Sequence, residues 1–239
     1  MDGALLVHPP SRQRRSHLRH QPRLAPSRNV IDGFAGVTVG ATQHNYRISR
    51  RLCPNPLETA AGALHIEVLE GLRRHRLRRD PNETGVSFDI EFAATMSPHE
   101  EKLHCLHRSG RLTVDMARAQ QLGSYRGWLQ VRERRIGVDA WPGRRDHSWG
   151  VRRCARTSHP PLTLYPPFFF AWTTMQFADR SRPAFVQERV PGEFIYLSGE
   201  EVLPLGTMAK SGRPLASMNH DMKGRERQQH PPCARAPSP

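Results

Sequence analysis

Residues 141–152 read WPGRRDHSWGVR, a stretch that brings carboxylate, imidazole, indole, hydroxyl and guanidinium groups together within twelve positions. Such crowding of chemically different groups occurs nowhere else in the 239 residues. Strand-like sequence precedes the stretch, and an aromatic run, Phe168–Phe177, follows it. We therefore predict that a functional site of this chain is built around residues 141–152.

The residues of this stretch divide into two sets if it forms a strand, because neighbouring side chains then point to opposite faces of the sheet. Arg145, His147 and Trp149 share one face, whereas Asp146 lies on the other. His147 beside an indole wall could donate or accept a proton for an apolar substrate. The structural alternative is that Arg145, Asp146 and Arg152 form a buried ion-pair network that closes one end of the fold.

The sequence before this stretch alternates between apolar and polar side chains, which is typical of half-buried strands. Val86–Phe92 is the clearest case, and its polar residues Asp89 and Glu91 are expected to pair with arginines of the preceding strand. The sequence from Tyr125 to Trp141 predicts a hairpin that leads into the central stretch, with a chain break before it at Gly123. Short strands at about ten-residue spacing predict an all-β barrel or sandwich. We predict strands at residues 64–68, 72–79, 86–92, 112–116, 125–131, 136–141, 168–177, 184–190 and 193–197.

The positive charge of the chain is concentrated at its two ends. The formal net charge is +14, of which residues 1–52 carry +7 and residues 204–239 carry +4. Only three of the 36 basic residues are lysines, whereas phosphate-binding surfaces usually use both lysine and arginine. The arginine- and proline-rich ends therefore predict segments of low order and disfavour a nucleic-acid partner. Within residues 29–62, apolar residues scattered among glycines allow one strand or two.

The cysteines and the N-terminus indicate the cellular compartment. Cys53, Cys105, Cys154 and Cys233 are far apart, which predicts unpaired thiols in a reducing cytoplasm. No cluster of ligands has the spacing of a metal site, and no glycine motif fits a nucleotide, so we expect neither metal nor cofactor. The apolar run at the start of the chain is too short for a signal peptide, and no stretch predicts a membrane span. No pattern specifies an oligomeric state.

The central motif resembles a known family. Arg145–Arg152, which follows Val138–Trp141 and precedes a Phe-Phe-Ala-Trp strand, resembles a bacterial family of lipocalin-like proteins. These are similar to the carotenoid hydratases (hydroxyneurosporene synthases) and, more remotely, to fungal Diels-Alderases. The resemblance, which covers about residues 60–203, implies two antiparallel lipocalin-like β-barrels in tandem. We therefore expect one barrel at residues 60–156, an incomplete second barrel at 165–203, and disordered basic tails at 1–52 and 204–239.

The resemblance also implies catalytic roles. In the hydratases, the His and Trp of this motif belong to the active site, which assigns His147 and Trp149. A Tyr-x-Asp on the following strand supplies the acid that protonates an alkene, and the corresponding residues here are Thr174–Gln176. Because glutamine cannot donate a strong-acid proton, Asp179 or Asp146 would have to take that role. Of the possible catalytic residues, we predict His147 and Asp146.

The resemblance implies a small hydrophobic ligand of isoprenoid or lipid type, bound in an apolar pocket near the junction of the two barrels. Arg145 and Arg152 are expected to support this site structurally. The predicted ligand-binding residues are Trp141, Trp149, Trp172 and Gln176.

Four hypotheses about function follow. The first is a hydrophobic-ligand protein with hydratase- or isomerase-like activity. The second is a non-catalytic lipid-binding barrel in which the same residues are structural. The third is a truncated or frameshifted product without activity, because the strand pattern breaks off at both ends. A basic nucleic-acid binder that uses its arginine-rich ends is the least favoured hypothesis.

Overall fold

A computed structural model of the chain describes residues 5–7, 16–52, 58–108, 110–152, 169–190, 192–207 and 212–215. Side chains are described from residue 24 onward within these ranges, except at 108, 111 and 152. The described residues form fifteen strands and one short 3-10 helix, Pro26–Arg28. The strands are β1 (Leu5–Val7), β2 (Ser16–Ala25), β3 (Val30–Val39), β4 (Thr42–Arg51), β5 (Leu64–Glu70), β6 (Arg74–Arg79), β7 (Val86–Ala94), β8 (His99–Glu100), β9 (His104–Arg108), β10 (Arg111–Val131), β11 (Arg134–Arg152), β12 (Phe169–Gln176), β13 (Ser181–Glu188), β14 (Phe194–Glu201) and β15 (Arg213–Pro214).

The strands form two antiparallel sheets, which confirms the prediction of an all-β antiparallel fold. The first sheet has eleven strands in the order β4-β3-β2-β1-β11-β10-β7-β6-β5, and β8 and β9 pair with β10 outside this path. The second sheet has the order β12-β13-β14-β15. Among the described residues, no helix has the length and apolar character needed to cross a membrane.

The first sheet curves so that one of its faces, here called the core face, packs against itself. Ala35 and Val37 of β3 share a buried cluster with Leu64 of β5 and Leu77 of β6, from the other end of the strand order. Burying one such large apolar side chain contributes about 1.5–3 kcal/mol, so the cluster holds the curvature. It consists of Ala35, Val37, Leu64, Leu77, Val86, Phe88, Ile90, Phe92, Tyr125, Leu129, Val131, Val138 and Trp141.

The N-terminal part of the chain differs from the low-order segment predicted for residues 1–52. β2, β3 and β4 pair with one another along their whole lengths. The reason is that β3 supplies buried side chains such as Ile31, while Arg47 and Arg51 of β4 are exposed and Arg50, opposite Ile31, is partly buried. Arg47 lies over the ring of Phe34 at 5.5 Å, and Arg50 pairs with Glu58 at 3.2 Å. Arginine on the outer face of a strand is compatible with β structure, so arginine content alone did not indicate disorder.

The predicted C-terminal tail, residues 204–239, also contains paired chain. β15 pairs with β14 at Glu200 and Glu201, so this part of the tail is ordered. Most of the remaining tail, from residue 216 onward, lies outside the described residues, as do residues 1–4 and 8–15 of the predicted basic N-terminus. Strands β12, β13 and β14 lie within residues 165–203, where strands of a second barrel are predicted.

The longest strands, β10 and β11, form the hairpin that contains residues 141–152. Val131 pairs with Arg134 across the turn, as the sequence predicts. The predicted break at Gly123 is wrong, because Gly123 pairs with Gly143 on one side and Ala94 on the other. A Cβ atom at Gly123 would clash with the carbonyl oxygen of Ala93. The glycine therefore permits close approach of two strands and does not end one.

The second sheet contacts the outer face of this hairpin, the face opposite the core face, through a buried carboxylate. Glu101, which follows β8, is 4% exposed. Its Oε2 lies 2.9 Å from Arg118 Nη1, and its Oε1 accepts hydrogen bonds from Gln120 Nε2 and, at 3.1 Å, from Trp172 Nε1. Because Trp172 belongs to β12, these four residues, here called the Glu101 cluster, connect the two sheets.

A substitution at Gly127 can test how closely β10 packs against β7. Its φ of 132° is in a region that L-residues rarely adopt, and an added Cβ would clash with the Asp89 carbonyl oxygen. Gly127→Ala is expected to lower the free energy of unfolding by about 2 kcal/mol or more. Gly137 of β11 is the matched control, because a Cβ there meets no atom within 4 Å. Gly137→Ala should change stability by less than about 1 kcal/mol, and urea unfolding measures both. Equal losses from the two variants would contradict the packing described here.

The Glu101 cluster generates a second prediction. Glu101→Gln leaves the guanidinium of Arg118 buried, with Asp146 at 3.6 Å as its remaining carboxylate. Breaking a buried ion pair from one side costs about 3–5 kcal/mol, so we expect a loss near the lower end of that range. Glu100→Gln, one residue away and exposed, should cost less than about 0.5 kcal/mol. If urea unfolding showed that Glu101→Gln loses no more stability than Glu100→Gln, the cluster would not hold the sheets together.

Candidate functional site

One transverse row of side chains crosses the core face. His75, Phe92, Tyr125 and Trp141 are successive partners across β6, β7, β10 and β11. Residues directly opposite one another in antiparallel strands share a face. The rings also contact one another, since the centroids of Phe92 and Tyr125 lie 5.1 Å apart and those of His75 and Phe92 6.2 Å apart. The row therefore joins an imidazole and a phenol to an apolar aromatic wall.

The following rows of the hairpin carry the central motif. Along the same face, Arg145 lies opposite Gln121, and His147 and Trp149 lie opposite alanines. The rings of His147 and Trp149 are 5.2 Å apart, in agreement with the face that the alternation predicts for them. Trp141 is 6% exposed and Trp149 is 47% exposed. The core face therefore leads from the buried aromatic row to the protein surface.

Four polar atoms on this face are buried and have no hydrogen-bond partner among the described residues: His75 Nδ1, Arg79 Nε, Gln121 Oε1 and Tyr125 Oη. Gln121 is fixed in place, because its Nε2 donates to the carbonyl oxygens of Leu72 and Met96 at 2.8 and 3.1 Å. A buried polar atom without a partner costs about 1–3 kcal/mol. Such atoms are uncommon in folded proteins. The outer face also has some, among them His99 Nε2 and Gln120 Oε1, but those of the core face lie beside an apolar aromatic wall, the arrangement of a small-molecule site.

Burial determines the charges of the groups on this face. It lowers the pKa of His75 to about 4, with further lowering by the charges of Arg145 and His147. Burial raises the pKa of Tyr125, and it lowers that of Arg145. At neutral pH the face therefore presents a neutral imidazole and a neutral phenol beside the guanidinium of Arg145.

Asp146 lies in a different environment from His147. It is buried on the outer face, where its Oδ1 lies 3.6 Å from Arg118 Nε. Ser148, two residues further along β11, is buried on the same face. The structure thus places the two predicted catalytic residues on opposite faces of β11, where the sheet separates their side chains. Asp146 extends the Glu101 cluster and does not form a dyad with His147.

Trp172 and Gln176, both predicted to bind the ligand, also lie away from His147. Trp172 packs on the outer side of the hairpin, and the guanidinium of Arg144 lies 3.9 Å from its ring centroid. Gln176 is exposed, and its Nε2 donates to Thr95 Oγ1 at 3.5 Å. The structure therefore divides the predicted ligand-binding set between the two faces of the hairpin.

The structure brings the other predicted residues together on the core face: Trp141, Arg145, His147 and Trp149. Arg152 pairs through its backbone with Val114, and its side chain lies outside the described residues. The sequence predicted an ion-pair network of Arg145, Asp146 and Arg152. In its place, the carboxylate of Asp146 pairs with Arg118 of β10.

The sequence prediction missed His75, Gln121, Tyr125 and Glu101. A signal for His75 was present, because Arg74 and Arg76 pair as expected with Glu91 and Asp89, each at 2.7 Å. Since these arginines occupy one face of β6, the alternating residue His75 must occupy the other. Glu101 had no comparable signal, because its partners are contributed by β10 and β12. Among the described residues, no group of three or more His, Cys, Asp or Glu side chains is placed to hold a metal ion.

Comparison with known proteins supports the fold. The structure is similar to that of kievitone hydratase from Nectria haematococca, with a TM-score of 0.51 and 14% sequence identity. The similar region covers 84% of this chain and 60% of the hydratase chain, so this protein spans about 60% of the length of that structure. Together with the antiparallel sheets, this similarity confirms the predicted all-β, lipocalin-like fold. The narrower resemblance to carotenoid hydratases stays a prediction.

Sequence comparison gives the family. No curated protein matches the chain. The sequence model of a family of unknown function, DUF8625, matches residues 22–236, which is most of the chain. On this match, the chain belongs to the family of unknown function DUF8625.

Proposed function

We propose that this protein binds a small hydrophobic molecule of isoprenoid or lipid type on the core face of the β10–β11 hairpin. We further propose a hydratase- or isomerase-like proton transfer by His147. The observation that carries the proposal is the set of unpartnered polar atoms, on Tyr125, His75 and Gln121, within an apolar face. An apolar molecule with one polar group would satisfy such atoms while it remained in contact with the aromatic side chains.

The aromatic side chains supply the binding surface. Phe92 and Trp141 form its buried part, and Trp149 forms its exposed end. Large, rigid aromatic rings bury much apolar area at a small entropic cost, which suits them to planar or polyene ligands. His147 is half-buried between these ends. A ligand that enters from the surface beside Trp149 would therefore meet the imidazole of His147 on its way to the buried row.

The proposed chemistry needs one group that both gives and takes a proton. In hydration, a proton adds to one alkene carbon and water adds to the other, and the oxygen then loses a proton. In isomerisation, a proton is added at one carbon and removed from another. An imidazole can perform both transfers near neutral pH. His147 is assigned this role because Asp146 lies on the opposite face and Gln176 is exposed.

The same geometry also supports a second candidate, a non-catalytic lipid-binding protein. In the carotenoid hydratases, which this sequence resembles, an acid on the following strand protonates the alkene. Here the corresponding side chain, Gln176, bonds to Thr95 and is not acidic. Binding of isoprenoids by the wild-type protein without formation of any product would favour this second candidate.

His147→Ala tests the assigned role. The variant should bind apolar probes as the wild type does, because the aromatic wall remains, and it should lose turnover because the proton carrier is removed. Binding is measured with Nile red and its displacement by geranylgeraniol. Turnover of geranylgeraniol and related isoprenoid alkenes is followed by mass spectrometry as the gain of one water from heavy-oxygen water.

His107→Ala is the matched control, because His107 is exposed on β9. It should leave both binding and turnover unchanged. Unchanged turnover in His147→Ala would remove His147 from the chemistry. Loss of the folded state in that variant, detected by thermal unfolding, would assign His147 to the structure.

The lowered pKa of His75 predicts a pH dependence of stability. Because the folded-state pKa of His75 is about 4 and the ordinary pKa of histidine is 6.5, the unfolded chain binds a proton at His75 more readily between these values. The contribution of neutral His75 is complete above about pH 6.5 and is lost as the pH falls toward 4, with a total of up to about 3 kcal/mol.

His75→Gln removes this titration and should flatten the dependence by the same amount, whereas the exposed control His107→Gln should not. The measurement is the free energy of urea unfolding between pH 7 and pH 4. Parallel curves for wild type and His75→Gln would show that His75 is not buried as described.

A further inference from the structure

Arg145 places a positive charge on the core face, close to a buried phenol. It is half-buried, and it lies four residues along β11 from Trp141, the strand partner of Tyr125. The charge of Arg145 acts electrostatically on both Tyr125 and His75. These three groups therefore share the core face, with Arg145 four strand positions from the row that contains Tyr125 and His75.

No carboxylate of the described strands neutralises Arg145 on this face. The nearest acid in sequence, Asp146, points to the outer face and pairs with Arg118, although, against the effect of burial, its charge also raises the pKa of Arg145. Asp115 lies on the same face of β10 as Gln121, the residue opposite Arg145. Six residues of strand, or about 20 Å, separate Asp115 from Gln121. The other acids of β7 and β11 pair with arginines: Asp89 with Arg76, Glu91 with Arg74, and Asp139 with Arg126.

A buried cation without a counter-charge is costly, and a bound anion removes that cost. Arginine binds carboxylates particularly well, because its planar guanidinium can donate two parallel hydrogen bonds. The hydroxyl of Tyr125 is a further donor, completely buried and without a partner among the described residues. Neutral His75 can provide another N–H.

We propose that the ligand is an apolar molecule with a carboxylate group, and that Arg145 and Tyr125 bind this carboxylate on the core face. The proposal rests on the hydrophobic-ligand function given above and narrows the class of ligand. The apolar part lies along Trp141 and Phe92, and the carboxylate accepts hydrogen bonds from the guanidinium and the phenol. Apolar alcohols and esters of the same length fill the same apolar surface but leave the charge of Arg145 unneutralised.

The test compares a fluorescent conjugated-polyene fatty acid with its methyl ester, each titrated into the full chain. The wild type should bind the acid about tenfold more tightly than the ester, or better, since hydrogen bonds to charged groups exceed those to neutral ones. Arg145→Met should abolish this preference. Arg134→Met removes the same charge from an exposed position on the same strand, and it should retain the preference.

Two further variants keep the test informative if Arg145→Met fails to fold. Arg145→Lys preserves the charge but not the paired donors, so it should keep a reduced preference for the acid. Tyr125→Phe removes one hydrogen-bond donor. It should weaken binding of the acid several-fold and leave binding of the ester unchanged.

The outcomes separate the two proposals. Equal affinity of the wild type for acid and ester would overturn the carboxylate proposal and leave the hydrophobic-ligand function standing. Failure of the wild type to bind acid, ester and neutral Nile red alike would overturn the hydrophobic-ligand function, and the carboxylate proposal with it. A preference for the acid that survives Arg145→Met would assign the carboxylate to another cation.

Discussion

The hairpin of β10 and β11 lies between two buried environments, and from Trp141 onward the alternation of side chains along β11 assigns each residue to one of them. His147 and Arg145 face the core of the first sheet, whereas Asp146 and Ser148 face the second sheet. Because this alternation follows from the backbone geometry of a strand, side-chain rotation cannot bring Asp146 and His147 into one site. A motif that is compact in sequence therefore serves two regions that do not touch.

Both environments contain unpartnered buried polar atoms, but they differ in what surrounds their polar groups. On the outer face, the carboxylate of Glu101 is bound by Arg118, Gln120 and Trp172 at once. Such a fully bonded buried carboxylate fixes the relative position of two sheets. On the core face, Tyr125 and His75 are buried without hydrogen-bond partners among the described residues. The first arrangement joins two sheets, and we propose that the second, which lies within an aromatic wall, binds a ligand.

Local periodicity was sufficient to predict β5, β6, β7 and the hairpin of β10 and β11, but not β1, β2, β8 or β9. The alternation at Val86–Phe92, the turn of the long hairpin and the ion pairs of Asp89 and Glu91 all depend on neighbouring strands, which the sequence presents in order. One or two strands were allowed within residues 29–62, where β3 and β4 lie, but the arginine content of residues 1–52 favoured a segment of low order. Gly123 was read as a break because a sequence does not reveal how closely another backbone approaches.

The site was predicted only in part, for a related reason. His147 and Trp149 share a face through their spacing alone, and so they could be grouped from the sequence. Tyr125 and His75 join them only through the registers of β10 with β7 and of β7 with β6. Glu101 and Trp172 meet across 71 residues. Register and sheet packing decide these contacts, and neither can be derived from local pattern.

A crystal structure of the full chain with a polyene fatty acid bound would test the central claim most directly. The account predicts density for the ligand along Trp141 and Phe92 on the core face, with its carboxylate within hydrogen-bond distance of Tyr125 Oη and the Arg145 guanidinium. Density beside the Glu101 cluster, between the two sheets, would contradict it. So would an occupied surface groove with the Tyr125 hydroxyl still buried and unpartnered.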